Sequence, residues 1–444
     1  MNFKLKNKSG ITLIALIITI IVMLILVGVV VTVVIESNLL GTAKTAVDKY
    51  KTAYEDESNM SEVTINGEKY ASIEDYIEET KQLPEGAGKR AEKTKEYSDG
   101  TKAAVIPGGF TVSGIRNETK IDDGLVIYLI PDDEIENVKW DGTEKTKYDQ
   151  FVWIPVEHPN EMFMCQAKTA DTMCNLKIEG NEVICQTHKT ADATKSKKMA
   201  GRLYATTDFE SSLTTQVYNA NSGLREPAIV TGTEDGAGKQ YDGSSSNNIG
   251  LTLDTLQEEY NSAVKKVIQS GGFWVGRYET SGIDSSNDDT AVSIVAGKGT
   301  SDGINQRNWY RMYKQQQNYA NKKGLATEEN TSIQSTMIFG AAYDQTILFA
   351  NCASETTPTK DYSAVKTGNV PTDCYKNIYD LCGNLNEWTT EADSAYTRVI
   401  RGGYYDGSCS ASDRSIGYPI YSNIDVVRYQ SHTLRNAVSL QTIQ

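Results

Sequence analysis

The stretch Asn377-Ile378-Tyr379-Asp380-Leu381-Cys382-Gly383-Asn384-Leu385-Asn386-Glu387-Trp388 decides how the rest of the chain is read. Gly383-Asn384 asks for a backbone conformation that most side chains forbid. Trp388 is a large apolar anchor and belongs in a core. Downstream, Arg398-Val399-Ile400-Arg401-Gly402-Gly403 sets a short strand against a second pair of permissive backbone positions.

Working outward, the chain from Thr101 onward has short apolar runs, frequent Gly and evenly spread aromatic residues. Strands are expected at Ala103–Ile106, Gly124–Ile130, Gln150–Val156, Phe273–Tyr278 and Arg398–Arg401. Helical periodicity predicts Thr255–Gln269, Asn308–Tyr319 and Thr336–Phe349. Residues from about 157 to 250 are rich in Thr, Ser, Asp and Lys and read as a polar insertion at the domain surface. Within it, 231–249 is so poor in apolar groups that a long loop is expected.

The N-terminus has a different texture. Lys4, Lys6 and Lys8 precede residues 11–35, which carry no charged side chain. As a helix this run would be roughly 37 Å long, enough to cross a bilayer. The preceding lysines place residue 1 on the cytoplasmic side and the bulk of the chain outside. Lys8-Ser9-Gly10-Ile11-Thr12-Leu13 resembles the leader of type IV prepilins, which implies peptidase cleavage between Gly10 and Ile11. The pattern departs at Ala15, where pilins carry a Glu, and that weighs against assembly with other pilin subunits. A plain signal anchor is the alternative. An apolar stripe through Leu39, Leu40, Ala43, Ala46, Val47, Tyr50 and Tyr54 continues the helix as a stalk. Val63 to Tyr70 reads as a hairpin turning at Asn66-Gly67. A short helix from Ile73, capped by Ser72, follows, and then a charged linker over 81–101.

Composition narrows the function. With 44 basic against 58 acidic residues the chain carries a net charge of −14, a poor match for nucleic acid or an anionic membrane surface. Its 25 Tyr suit either a recognition surface or a loop-rich fold that uses Tyr as an amphipathic filler. The seven Cys form no Cys-x-x-Cys pair, so a zinc ribbon or thioredoxin-like site is not expected. Cys165, Cys174 and Cys185 lie close enough in sequence to supply one disulfide. The odd count leaves at least one free thiol.

Several segments together resemble the formylglycine-generating enzyme, or sulfatase-modifying factor, family. They are Phe151–Val156, Gly271–Thr280, Phe339–Asp344, the 377–388 stretch, Arg398–Tyr405 and Thr433–Ala437. The resemblance covers roughly residues 101–444 and implies a variant of the C-type lectin fold. It also implies a structural Ca²⁺ held by the side chains of Asp380 and Glu387 and the carbonyls of Gly383 and Leu385, oxygen donors that suit this ion. The same acids read equally as turn caps or as partners of Arg398 or Arg401. The family's catalytic chemistry uses two Cys shortly after the Arg-Gly-Gly segment. Here that region holds Cys409 alone, out of register, and His158, His188 and His432 show no metal-binding spacing. An enzyme is therefore not expected.

In place of the catalytic Cys stand Tyr404, Tyr405, Asp406, Ser408, Ser410, Ser412, Tyr418, Tyr421, Asn423, Asp425, Arg428 and Tyr429. This mixture is that of a paratope. It resembles the variable proteins of diversity-generating retroelements, which mutate the C-terminal segment of the same lectin-type scaffold. The expected fold class is α+β: a long N-terminal transmembrane helix, then a lectin-like domain with little regular secondary structure. The expected organisation is a leader at 1–10, a transmembrane and stalk helix at 11–56, a hairpin, helix and linker at 57–100, and the lectin-like domain at 101–444. The expected function is a membrane-anchored, pilin-like receptor or adhesin at the cell surface or in a pilus, binding a protein or glycan ligand. The alternatives are a structural minor pilin and a metal-dependent oxidase.

Overall fold

The structure is a computed structural model. It describes residues 23, 63–65, 68–70, 83–165, 173–188, 197–203, 226–228, 251–281, 292–298, 309–325, 333–352, 365–394, 397–402, 411–412, 414–417, 432–433 and 436–440. The chain divides into two compact units, Met1–Gln82 and Leu83–Gln444. In the first, β1 (Val63–Ile65) pairs antiparallel with β2 (Glu68–Tyr70), Ile65 opposite Glu68, as the Asn66-Gly67 turn predicts.

The second unit opens with the hairpin of β3 (Lys95–Ser98) and β4 (Ala103–Ile106). Next come β5 (Thr111–Val112), β6 (Val126–Leu129) and β7 (Asp149–Pro155). A short helix α1 (Pro159–Met162) leads into β8 (Phe163–Cys165), the hairpin β9 (Leu176–Glu179) and β10 (Glu182–Cys185), and β11 (Met199–Gly201). Helix α2 (Leu253–Ser270) starts at a capping box in which Thr252 and Thr255 bond each other's backbone amides. It runs into β12 (Gly272–Gly276). Helices α3 (Trp309–Gln317) and α4 (Tyr319–Lys322), β13 (Ile333–Met337) and α5 (Gly340–Ala350) follow. The chain ends with β14 (Cys374–Tyr375), β15 (Ile378–Tyr379), β16 (Asn386–Ala392), β17 (Arg398–Arg401), β18 (Arg414–Gly417), β19 (His432–Thr433) and β20 (Asn436–Leu440).

The centre is a six-stranded antiparallel sheet in the order β13-β20-β12-β7-β6-β5. Successive side chains on a strand point to opposite faces, and here both faces are buried. Val152, Ile154, Phe273 and Val275 join one core with Tyr260 and Val264 of α2 and Ala342 and Ile347 of α5. Phe151, Trp153 and Trp274 join the other with Trp309 and Tyr313 of α3, Trp388 of β16 and Ile400 of β17. Burial on both sides explains why Phe151–Val156 reads as a continuous apolar run and not as an alternating one. A second sheet, in the order β18-β17-β16-β19, is antiparallel except where β19 runs parallel to β16.

Several expectations are corrected. Among the described residues no helix is long and apolar enough to cross a membrane. A span needs about 20 predominantly apolar residues, and the 18-residue α2 carries Asp254, Glu258, Glu259, Lys265 and Lys266. The expected anchor and stalk, apart from Met23, lie outside the described residues, as do Gly10 and Ile11. The long transmembrane helix, the pilin-like membrane attachment and the cell-surface location are therefore withdrawn. The expected linker over 81–101 contains β3, whose Tyr97 is buried and donates to the Thr119 carbonyl at 2.8 Å. The expected polar insertion puts Met162, Phe163, Met164 and Met199 into the first core. The expected helix over 336–349 begins only at Gly340, because Thr336 and Met337 belong to β13.

Trp153 and Trp274 face each other across β7 and β12 with ring centroids 5.1 Å apart, both fully buried. Trp153→Ala is expected to destabilise the fold by about 3–5 kcal/mol, the usual range for emptying a buried aromatic site. Denaturant titration checks this, and a loss below about 1 kcal/mol would place the core elsewhere.

Candidate functional site

The registers bring Glu387, Arg401, Arg414 and Thr433 to one end of the four-stranded sheet. Glu387 lies opposite Arg401 and beside Thr433, and Arg401 lies opposite Arg414. The turn before β16, the connection from β17 to β18 and the entry to β19 therefore share that end.

What holds this end is a buried network of charges. Arg401 binds Asp344 through Nη2 and Glu391 through Nη1 at 3.1 Å. Arg414 Nη2 lies 2.9 Å from Glu391 and 3.8 Å from Asp344. The Arg401 guanidinium also covers the Tyr343 ring at 4.8 Å. Two cations and two carboxylates thus tie α5 to β16, β17 and β18. Burial pushes the Asp344 carboxyl up, and Arg401 and then Arg414 pull it back.

A third acid, Glu226, sits at the start of α5. Its carboxylate accepts the amides of Gly340 at 2.5 Å and Ala341 at 3.0 Å, and the Thr390 hydroxyl at 2.5 Å. It supplies the acceptor that Phe339, the capping residue, does not. Gly340 is needed here, since a Cβ would meet Glu391 Cγ at 2.1 Å. Burial, and then the charge of Glu391, pushes the Glu226 carboxyl up to about 7.

The turn over 379–387 is braced by the preceding Arg277-Tyr278-Glu279. Arg277 is buried in an ion pair with Glu118 at 2.7 Å, and its carbonyl accepts the Tyr379 amide at 3.0 Å. Tyr278 stacks on Tyr379 with centroids 5.1 Å apart. Glu279 accepts the Asn384 side-chain amide at 2.5 Å and the Leu385 backbone amide at 3.0 Å.

The residues that the resemblance assigns to calcium are all buried. Asp380 accepts from the Thr367 hydroxyl at 2.5 Å and the Gly368 amide at 2.9 Å. Glu387 turns instead toward Gly402, where a Cβ would come within 2.5 Å of its Oε2. Gly402 has a φ of +79°, so both backbone and space require glycine. Asn384, with a φ of +64°, takes the left-handed conformation beside Gly383. The described contacts form a protein-bonded turn around Glu279.

Of the expected ligand-binding residues, Ser412 alone lies among those described, and it is buried. Tyr404, Tyr405, Asp406, Ser408, Ser410, Tyr418, Tyr421, Asn423, Asp425, Arg428 and Tyr429 lie outside them, as does Cys409.

A second constellation was not anticipated. Cys165, Cys174 and Cys185, taken from the sequence as material for a disulfide, are free thiols. All three surround Nδ1 of His188, at 3.6, 3.4 and 3.2 Å respectively. Hydrogen bonding between Cys165 and Cys174 pushes the Cys165 thiol up and the Cys174 thiol down. The available signal was Cys185-x-x-His188, which keeps the two-residue spacing of a Cys-x-x-Cys pair with a different second ligand.

Two predictions follow from the charge network. Arg401→Met strands Asp344 and Glu391 beside Arg414 alone, and should destabilise the domain by about 3–5 kcal/mol in denaturant titration; retention of wild-type stability would remove the network from its central place. Glu226 holds its proton in the folded chain up to about 7, whereas the unfolded group releases it near the ordinary 4.5. Its contribution is therefore fully present below that lower value and is lost as pH rises through about 7. Stability measured at several pH values across this window should fall less steeply in Glu226→Gln than in the wild type, and equal slopes would contradict the assignment.

In comparison with known proteins, the chain matches no family model and no curated protein.

Proposed function

We propose that residues 83–444 form a non-catalytic binding module whose ligand face is built from the segment 404–429. The supporting observation is the clamp on the strands that bracket the first part of this segment. Arg401, at the end of β17, and Arg414, at the start of β18, share the carboxylates of Asp344 and Glu391. Register places 402–413 as the connection between these two strands. Residues 418–431 then link β18, at one edge of the sheet, to β19 at the other.

Such an arrangement separates two tasks. Buried ion pairs at Arg401 and Arg414, together with Gly402, hold the strand ends that flank the start of this segment. Tyr, Ser, Asp and Asn between fixed ends provide large contact area at low entropic cost together with adaptable hydrogen bonds. The ligand class is a protein or a glycan. Diversification of this segment by a retroelement belongs to the same reading.

Sequencing codons 399–440 across a population of source cells tests diversification. Substitutions crowded at 404–429 and sparing Arg401, Gly402 and Arg414 are expected, and a single invariant sequence would end that part of the reading. Binding itself is tested on glycan and protein arrays. Replacing Tyr404, Tyr405, Tyr421 and Tyr429 together by Ala should abolish captured signal while leaving the unfolding midpoint unchanged. Signal that survives the four substitutions would put the binding face elsewhere.

A further inference from the structure

We propose that Cys165, Cys174, Cys185 and His188 form a structural zinc site that staples the 176–185 hairpin to the core of the domain. These are the one group of three or more His, Cys, Asp or Glu side chains among the described residues whose ligand atoms converge, all within 4.8 Å of one another.

Four of the six ligand–ligand distances match a tetrahedron, and the two from Cys185 Sγ to the other sulfurs lie within 4.8 Å. With Zn–S near 2.3 Å and Zn–N near 2.0–2.1 Å, tetrahedral angles set S···S edges at about 3.8 Å and S···N edges at about 3.5 Å. The structure has Cys165 Sγ to Cys174 Sγ at 3.9 Å, and the three sulfurs at 3.2–3.6 Å from His188 Nδ1. A disulfide, by contrast, needs sulfurs about 2.05 Å apart. The thiols are buried and the imidazole is half-buried.

The donor set selects the ion. Three thiolates and one imidazole are soft and borderline ligands that suit zinc and not calcium or magnesium. Four protein ligands close the coordination sphere, leaving no position for water or substrate, so the role is structural. On binding, each thiol that is protonated releases its proton to solvent, and the His188 nitrogen binds in its neutral form. Three thiolates around a dication leave one net negative charge. The Cys165 amide donates to Cys174 Sγ at 3.3 Å and offsets part of it.

Local topology brings the four residues together. Cys165 closes β8, whose Phe163 and Met164 are in the first core. Cys185 closes β10 opposite Leu176, which places it beside Cys174. His188 then lies just beyond the strand end. The β9–β10 pair is a sheet of its own with two strands, and such a hairpin is marginal without further support. Metal bonds from Cys174, Cys185 and His188 to a sulfur on β8 supply that support.

The test uses the full chain, expressed without an affinity tag that binds metal and purified without chelator. Elemental analysis should find one zinc per chain. Stripping the zinc and titrating Co²⁺ should produce tetrahedral ligand-field bands and a thiolate charge-transfer band, both lost on adding back Zn²⁺. Cys174→Ser with Cys185→Ser, and separately His188→Ala, should lose the bound metal. If these variants fail to fold, alkylation of the wild type decides: zinc should shield Cys165, Cys174 and Cys185 from a maleimide, and chelation should expose them, while the half-buried Cys374 reacts equally in both states. A chain that takes up neither zinc nor Co²⁺, iron in place of zinc, a disulfide among the three thiols by mass, or zinc retained in the double variant would each overturn the proposal.

Discussion

The constraint on which the rest of this domain depends is the pairing of two buried arginines with two buried acids. Removing a charge from water is expensive, and opposite charges close by are what make the burial tolerable; Arg401 hydrogen-bonds Asp344 and Glu391, and Arg414 brings a second cation to the same acids. Arg401 and Arg414 come from adjacent strands, Glu391 from the third strand and Asp344 from helix α5. No single element can satisfy its own charge. Each is held in register by the others, so the network specifies an arrangement more than it adds stability. Glu226 extends the same logic to the helix start, where Gly340 and Ala341 would otherwise present amides with no acceptor.

A second brace works in parallel. Arg277, Tyr278 and Glu279 follow directly on the central strand β12: Arg277 and Tyr278 hold Tyr379 by a backbone bond and by stacking, and Glu279 accepts the amides of Asn384 and Leu385. The six-stranded sheet thereby dictates where the four-stranded sheet begins. This coupling explains why residues far apart in sequence, around 277 and around 384, read as parts of one pattern.

Much of this was legible in the sequence. The runs Ala103–Ile106 and Arg398–Arg401 are strands as expected, because a short apolar segment bounded by polar or glycine residues has few other uses. Trp388 is in the core, as its size requires. What was not legible depends on partners distant in the chain. Residues 436–440 hold few strong strand formers, yet β20 sits inside the six-stranded sheet because β12 and β13 flank it. The start of α5 was misplaced because its acceptor comes from Glu226, more than a hundred residues upstream. Residues 157–250 looked polar on average, and averages conceal Phe163, Met164 and Met199, which enter the core singly or in pairs. On the predicted ligand face the sequence remains the whole guide, apart from Ser412, which is buried.

The thiol–imidazole cluster is hard to read from the sequence for a related reason: two of its intervals are long, and no Cys-x-x-Cys pair marks it. Spacing matters less than which residues a fold returns to one point. Here a strand end, the residue before a hairpin, the hairpin's own end and a residue just beyond it converge because β10 runs back along β9. The same convergence argues against an accident of packing. Apolar contact would bring buried sulfurs together without drawing a polar ring nitrogen among them, yet Nδ1 of His188 lies within 3.6 Å of all three. A polar atom set among soft donors at tetrahedral edge lengths is the arrangement that a shared cation imposes.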